Sequence, residues 1–182
     1  MREIELTLQF NLLPYRPLQS RQRFTLYLFS GIALFEFNPQ ALYQDQWYDL
    51  QPLGTEGQGL PGYPEKYRLT QIAVPMGVGM AYALTKNWNI GFEFSMRKTF
   101  TDYLDDVSTD YPDLNELAME RGDIARRLSW RTDEILPEAR PPRRGEERGD
   151  PNDLDWYILD GLAQFNTFNA PDNRSMKTRK GK

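Results

Sequence analysis

The chain of 182 residues contains no cysteine and no histidine. Without cysteine it has no disulfides, no thiol nucleophile and no thiolate metal site, and without histidine it lacks the commonest general base and metal ligand. Hydrolases that place a histidine beside a serine are excluded for the same reason. Only carboxylate chemistry stays open to an enzyme, so the sequence favours a protein that is not an enzyme and that carries neither a metal nor a cofactor.

Long apolar runs are also missing, since no stretch approaches the roughly 18 residues of a transmembrane helix. The net charge of −4 includes no basic excess, so nucleic-acid binding is not expected. A mean hydropathy of −0.68 is polar, but membrane β-barrels combine alternating strands with polar loops and can have such an average. The first residues, MREIELTLQF, lack the pattern of a signal peptide. Either the protein is cytosolic, or this start is not its natural one.

The clearest positive signal is an alternation of apolar and small or polar residues from Tyr67 to Thr101. A period of two predicts strands, and its continuation past a turn at Thr85–Asn87 predicts a β-hairpin. The apolar positions are Ile72, Val74, Met76, Val78, Met80, Tyr82 and Leu84 in the first strand and Trp88, Ile90, Phe92, Phe94 and Met96 in the second.

The opposite face of this hairpin is mostly glycine and alanine, with the isolated charges Glu93 and Arg97 on the second strand. A soluble sandwich would carry solvent-loving side chains there, and it stays the alternative at this point. Small residues with a few charges are typical of the interior of a narrow barrel surrounded by lipid. We therefore interpret Glu93 and Arg97 as barrel-interior charges that form an ion pair. Tyr82 and Trp88 would belong to an interfacial girdle.

Three more segments alternate in the same way, namely Glu3–Leu12, Arg23–Phe37 and Asp155–Phe168. In the second of these, either face could point outward. We favour an outward aliphatic face because Gly31 and Ala33, on the other face, suit a crowded interior. The outward set is Phe24, Leu26, Leu28, Ile32 and Leu34, and the inward set is Tyr27, Phe29, Gly31, Ala33, Phe35 and Phe37.

Two long segments, 38–66 and 102–154, separate the strands. The first is rich in glycine and proline, and we expect a loop whose Trp47 and Tyr48 pack on the mouth of the barrel. The second contains a helical pattern over Asp113–Ser129. The charged stretch 138–153 is expected to be flexible and solvated, because its arginines and glutamates neutralise each other. The polar tail 169–182 is expected to be disordered.

An acidic run precedes the predicted helix, with Asp102, Asp105, Asp106, Asp110 and Asp113 close together. Calcium binding is one interpretation of this density, but the spacing is not that of an EF-hand, so a solvated loop is favoured. Asp102 with Asp105 or Asp106 is the only carboxylate pair that could serve a lipid-modifying enzyme.

Short connections and long connections fall at opposite ends of the predicted strands, as in outer-membrane barrels with short periplasmic turns and long external loops. The fold class is therefore all-β, an antiparallel outer-membrane β-barrel of the small type, with one short helix in a long external loop. Such a barrel has about eight strands, so 8 − 5 = 3 strands are missing. Open edges in lipid are too costly. We expect residues 1–168 to be an incomplete barrel domain, with three strands and a signal peptide lost upstream.

Four long segments have distinctive sequences and together span most of Phe29 to Tyr157. They are FSGIALFEFNP (29–39), WYDLQPLGTEGQGLPGYP (47–64), NWNIGFEFSMRKTFTDYLDDVSTDY (87–111) and DWY (155–157). These words resemble the PorG-like family of outer-membrane β-barrels, which is associated with the type IX secretion system. The resemblance implies an eight-stranded barrel in outer-membrane lipid, with periplasmic lipoprotein ring components of that system as partners. It supplies no catalytic residues.

The sequence thus predicts a non-enzymatic outer-membrane barrel that anchors or organises an envelope assembly, with the type IX protein secretion machinery as the assembly implied. The alternative is a ligand-binding or adhesive barrel that acts through its external loops. The aromatic residues expected to make such loop contacts are Trp47, Tyr48, Tyr63 and Tyr103.

Overall fold

The computed structural model describes residues 1–16, 22–85 and 88–166. Several predictions lie partly or wholly outside these ranges. They concern part of the first connection, most of the turn at 85–87, the end of the last strand and the polar tail 169–182.

Two kinds of strand are present in the described residues, long ones and a short pair. The elements are, in chain order, β1 (Arg2–Asn11), β2 (Phe24–Glu36), β3 (Gln40–Tyr43), β4 (Gln46–Asp49), α1 (Leu50–Leu53), β5 (Thr70–Ala83), β6 (Trp88–Thr99), α2 (Leu114–Arg121), α3 (Asp123–Ser129), a 3₁₀ helix (Thr132–Glu134) and β7 (Trp156–Asn166).

The five long strands form one sheet in the order β1-β2-β5-β6-β7, and the structure is mostly antiparallel β-sheet. The prediction of an antiparallel all-β fold is therefore confirmed. Within the described residues the sheet is open, with β1 and β7 as its two edges. The short strands β3 and β4 form a separate antiparallel hairpin, in which Leu42 lies opposite Trp47. No helix among the described residues has the length and apolar character needed to cross a membrane.

The two faces of the central strands differ as the alternation predicts. Small and aromatic side chains are buried on one face of β2, β5 and β6, and large aliphatic and aromatic side chains are exposed on the other. In β2 the aliphatic set is the exposed one, which agrees with the favoured face assignment. Val74 departs from the pattern because it is half-buried.

By its internal contacts the chain divides into two compact units, and each long strand contributes to both. Unit 1 comprises residues 1–7, 31–75 and 97–157, and unit 2 comprises residues 8–30, 76–96 and 158–182. In unit 1 Ala33, Phe35, Phe37, Tyr67 and Ala73 form one core cluster.

Leu60, Leu117 and Ala125 form a second core cluster in unit 1, beneath its loops. The core of unit 2 consists of Tyr27, Phe29 and Ala81.

Neighbouring groups approach the backbone of β5 closely in unit 2, which explains its glycines. A Cβ atom on Gly79 would lie 2.3 Å from Cζ of Tyr27, and one on Gly77 would lie 2.5 Å from the carbonyl oxygen of Phe94. Glycine is required where another group approaches the backbone this closely.

The segment 38–66 has more regular structure than the sequence predicts, because it contains the β3–β4 hairpin and α1. Gln44 and Asp45 connect the two strands with φ angles of 50° and 61°. Positive φ at both turn positions is the geometry of a type I′ hairpin. Trp47 is 63% exposed on β4, so the expectation that it packs on the mouth of the barrel is wrong.

The predicted helix is confirmed in position but is divided in two. Gly122, with φ of 88°, ends α2 and precedes α3. Asp113 begins α2 by accepting hydrogen bonds from the backbone N–H groups of Asn115 at 2.8 Å and Glu116 at 3.1 Å. Because these bonds favour its charged form, the pKa of Asp113 is lowered.

Gly77→Ala is expected to destabilise the protein by about 1–3 kcal/mol, because its methyl group must displace the β6 backbone. Gly161→Ala is the matched control, since a Cβ atom on Gly161 would meet nothing within 4 Å. The measurement is the urea midpoint followed by tryptophan fluorescence. Equal midpoints for the two variants would contradict the close packing of β5.

Candidate functional site

Three buried charges connect separate loop segments of unit 1. Glu56 and Asp106 are 1% and 0% exposed, and the side chain of Arg148 is 8% exposed. Nη1 of Arg148 donates to Oε1 of Glu56 at 2.9 Å and to the backbone oxygen of Asp106 at 2.6 Å. Its Nη2 lies 4.0 Å from Oδ2 of Asp106. One guanidinium therefore bridges two carboxylates from different segments.

Glu56 receives further hydrogen bonds that compensate for its burial. The backbone N–H of Ser108 donates to Oε1 at 2.8 Å, and the hydroxyl of Thr109 donates to Oε2 at 2.7 Å. A buried charge is tolerated when it is both paired and hydrogen-bonded in this way. Glu56 thus holds the 108–109 segment against its own loop.

Asp106 accepts hydrogen bonds from the hydroxyl groups of Thr55 and Tyr67, the latter at 2.6 Å. Burial raises the pKa of Asp106, and these two bonds together with the charge of Arg148 offset part of that rise. Burial is also the main reason that the pKa of Tyr67 is raised, and the charge of Asp106 adds to it. The ring of Tyr67 stacks on that of Tyr103, with centroids 4.5 Å apart.

This network corrects two expectations. Asp106 is not part of a solvated acidic loop, because it is fully buried. The stretch 138–153 is not simply solvated either, since Arg148 reaches the network and Tyr111 donates its backbone N–H to the backbone oxygen of Glu146. Sequence reasoning missed Arg148 because it lies in a charge-neutral run that resembles a linker. In the described part of the chain, no cluster of three or more Asp or Glu side chains is arranged to hold a metal ion.

A second cluster of charges lies on the sheet of unit 1. Arg97 on β6 is 5% exposed and forms ion pairs through Nη2 with Glu3 at 3.2 Å and Glu5 at 3.0 Å. Glu3 also accepts a hydrogen bond from the hydroxyl of Tyr157 on β7. Strands β1 and β6 are three spacings apart, which is roughly 14 Å on a flat sheet. Side chains from β1, β6 and β7 meet, so the sheet of unit 1 is strongly curled.

Glu93, the other predicted interior charge, lies in unit 2. It is half-buried and accepts a hydrogen bond from the hydroxyl of Tyr27 at 2.6 Å. In the same unit the hydroxyl of Tyr15 donates to Asn89 at 2.5 Å. The ion pair between Glu93 and Arg97 stays a prediction, whereas the contacts of Glu93 with Tyr27 and of Arg97 with the two β1 glutamates are observed.

The four aromatic residues predicted for loop contacts occupy different environments. Trp47 is exposed, whereas Tyr48 is half-buried on the same short strand. The hydroxyl of Tyr63 donates to Oε2 of Glu116 at 2.7 Å, and Tyr103 belongs to the stack described above. Tyr63 and Tyr103 therefore make contacts inside the loops, and Trp47 alone of the four is exposed.

Among the described residues, the long strands carry many exposed apolar side chains on one face. Single exposed apolar side chains are ordinary, but many of them on the same face of a strand indicate an interaction surface. Every long strand contributes to it. Its members include Ile4, Leu6, Leu8 and Phe10 on β1, Leu26, Leu28, Ile32 and Leu34 on β2, Ile72, Met76, Val78 and Met80 on β5, Ile90, Phe92, Phe94 and Met96 on β6, and Trp156, Ile158 and Leu162 on β7.

Comparison with protein families gave one match. The model of a domain of unknown function, DUF6089, matches residues 1–126. Neither the curated proteins nor the solved structures gave a match.

Arg148→Met is expected to loosen the loops, because it leaves two buried carboxylates without their cation. Losing one partner of a buried pair costs about 3–5 kcal/mol, so chymotrypsin cleavage within 102–154 should become at least about a hundredfold faster. The control is Arg140→Met, whose pair with Glu146 at 2.9 Å is exposed and contributes little. Equal cleavage rates in the two variants would show that the network does not hold the loops.

The raised pKa of Asp106 predicts a pH dependence with a definite sign. The folded protein holds this proton more tightly than the unfolded chain. The contribution to stability is therefore full below the ordinary aspartate pKa of about 3.9 and is lost as the pH rises through the folded pKa. The unfolding free energy of the wild type minus that of Asp106→Asn should therefore decrease as the pH rises above the ordinary aspartate pKa. The exposed Asp105→Asn serves as the control, and an increase with pH would contradict the assignment.

Proposed function

We propose that this chain, which belongs to the DUF6089 family, forms most of a non-enzymatic outer-membrane β-barrel that anchors or organises an envelope assembly. The observation that carries the proposal is the contrast between the two faces of the sheet. Large apolar side chains are exposed, and small, aromatic or charged side chains are buried. Lipid is the surrounding that makes this arrangement favourable, because it solvates the apolar face while the polar groups pair inside.

Strand length supports the same proposal. The long strands contain 10 to 14 residues, and a tilted strand needs about 9–11 residues to cross the hydrocarbon layer. Tyr82 and Trp88 are exposed at the β5–β6 connection, where an aromatic girdle would lie. The large loops, which carry α1, α2 and α3, would be external, and the short connections would face the periplasm.

Closure of the barrel requires further strands. Edges that stay open in lipid leave backbone groups without partners, and β1 and β7 are the edges of the described sheet. The curl produced by Arg97, Glu3 and Tyr157 favours closure over a flat arrangement. We propose that strands outside this chain, about three in number, join β1 to β7 to give a small barrel of about eight strands.

The assembly that we propose is the type IX protein secretion machinery. The basis is the family resemblance of the four sequence segments between Phe29 and Tyr157. The partners would be outer-membrane lipid and periplasmic lipoprotein ring components. The connection after Pro14 and the β5–β6 turn would offer the periplasmic contacts.

A ligand-binding or adhesive barrel is the second candidate, and the observation that favours it is the network of buried charges that joins the loops. The Glu56–Asp106–Arg148 network holds the loop segments of unit 1 in fixed positions, as a preorganised binding surface requires. Trp47 is exposed on the same unit.

A charge placed on the exposed face tests the barrel directly. Val78→Arg should lower the unfolding free energy by about 2–4 kcal/mol in lipid vesicles if Val78 faces hydrocarbon. Met119→Arg is the control, because Met119 is 79% exposed on α2 and would face water.

The full-length protein should also migrate differently on detergent gels before and after boiling. Equal, small effects of both substitutions, with no change in migration, would refute the membrane barrel.

A further inference from the structure

A cleft of about 400 Å³ lies in the loops of unit 1. One wall is the turn of the β3–β4 hairpin, and the other is formed by α3 and the 3₁₀ helix. The side chains that matter for its chemistry are Tyr43, Gln44, Arg126, Arg127, Trp130 and Asp133. The volume is in the range of small-molecule sites, and a six-membered sugar ring would fit within it.

The two walls are fixed to each other by Arg131. Its Nη1 donates to the backbone oxygen of Leu42 at 3.0 Å, and its guanidinium lies 6.0 Å from the ring centre of Tyr43. Nε and Nη2 of the same residue bind the carboxylate of Glu134 at 3.1 Å and 2.8 Å. The hairpin is thereby held against the segment that follows α3, so the cleft is formed before any ligand arrives.

A donor and an acceptor stand side by side in the cleft. Nη1 of Arg127 binds both carboxylate oxygens of Asp133, at 2.8 Å and 2.7 Å, and its Nη2 binds Glu134 at 3.1 Å. Each carboxylate oxygen keeps a free lone pair, and the guanidinium keeps further N–H groups. The pair can therefore donate to one hydroxyl group and accept from its neighbour without rearranging.

The charges that line the cleft cancel. Arg126 and Arg127 are balanced by Asp123 and Asp133, so the cleft selects neither a strong anion nor a strong cation. Tyr43 and Trp130 add aromatic surface to this neutral, polar lining. A ligand that matches must be uncharged, rich in neighbouring hydroxyl groups and able to lay an apolar face on an aromatic ring.

We propose that the cleft binds a pyranose ring of a saccharide. Vicinal hydroxyl groups of the ring pair with Arg127 and Asp133, and its C–H face stacks on Trp130 or Tyr43. This inference does not rest on the membrane role, because the cleft belongs entirely to the loops of unit 1. The ring could come from a free sugar or from a surface polysaccharide, and both present the same chemistry.

Saturation-transfer NMR tests the site with the purified full-length protein in a detergent that has no sugar headgroup. The probes are methyl α-D-mannopyranoside and methyl β-D-glucopyranoside as free sugars, and delipidated lipopolysaccharide saccharide as the polymer. We expect transfer to at least one probe, and Trp130→Leu should weaken binding about tenfold by removing an aromatic stack. Transfer to the polymer alone would assign the source to a surface glycan, and transfer to a methyl glycoside would assign it to a free sugar; either supports the site.

The matched control is Trp156→Leu, which removes a tryptophan of β7 that does not line the cleft and should leave binding unchanged. Gln44→Gly gives a second test if Trp130→Leu fails to fold, because glycine readily adopts the φ of 50° at this position. This variant removes a side-chain amide that lines the cleft beside Tyr43, so it should also weaken binding. The proposal is overturned if no probe shows transfer at millimolar concentration, or if folded variants of both cleft residues bind as the wild type does.

Discussion

Crowding on the buried face of the sheet is the constraint on which the rest of the structure depends. Gly77 and Gly79 leave room for the rings of β2, and a methyl group at either position would collide with its neighbours. This face holds these rings together with small side chains, and the large aliphatic side chains of the strands lie on the other face. The exposed apolar face is thus the direct counterpart of a tightly filled interior, and it is the feature from which the proposed membrane role follows.

Buried charges connect distant segments of the chain in unit 1. On the sheet of unit 1, Arg97 brings Glu3 and Glu5 of an edge strand toward β6, and the sheet curls as a result. In the loops, Arg148 joins Glu56 and Asp106. Each arginine neutralises carboxylates that come from distant parts of the chain, so losing one cation would leave charges buried without a partner.

Local patterns predicted the strands and their faces because a period of two can be recognised from neighbouring residues alone. The alternation in β5 and β6 placed their side chains correctly, and Gly31 with Ala33 indicated the buried face of β2. The same reasoning failed for Trp47 and Asp106. Trp47 lies on a short hairpin that leaves it exposed, and Asp106 is buried because Tyr67, 39 residues away, and other loop groups enclose it. Neither environment is visible in the neighbouring residues.

By itself the sequence determined the antiparallel sheet, the segregation of its two faces, the helical region near Asp113 and the absence of thiol and imidazole chemistry. Only the tertiary structure decided which charges pair, how the loops are held and where a cleft opens. Arg97 and Glu5 are 92 residues apart, as are Arg148 and Glu56. No local pattern encodes such contacts, because a long polar side chain has the same local preferences whether or not a distant partner meets it.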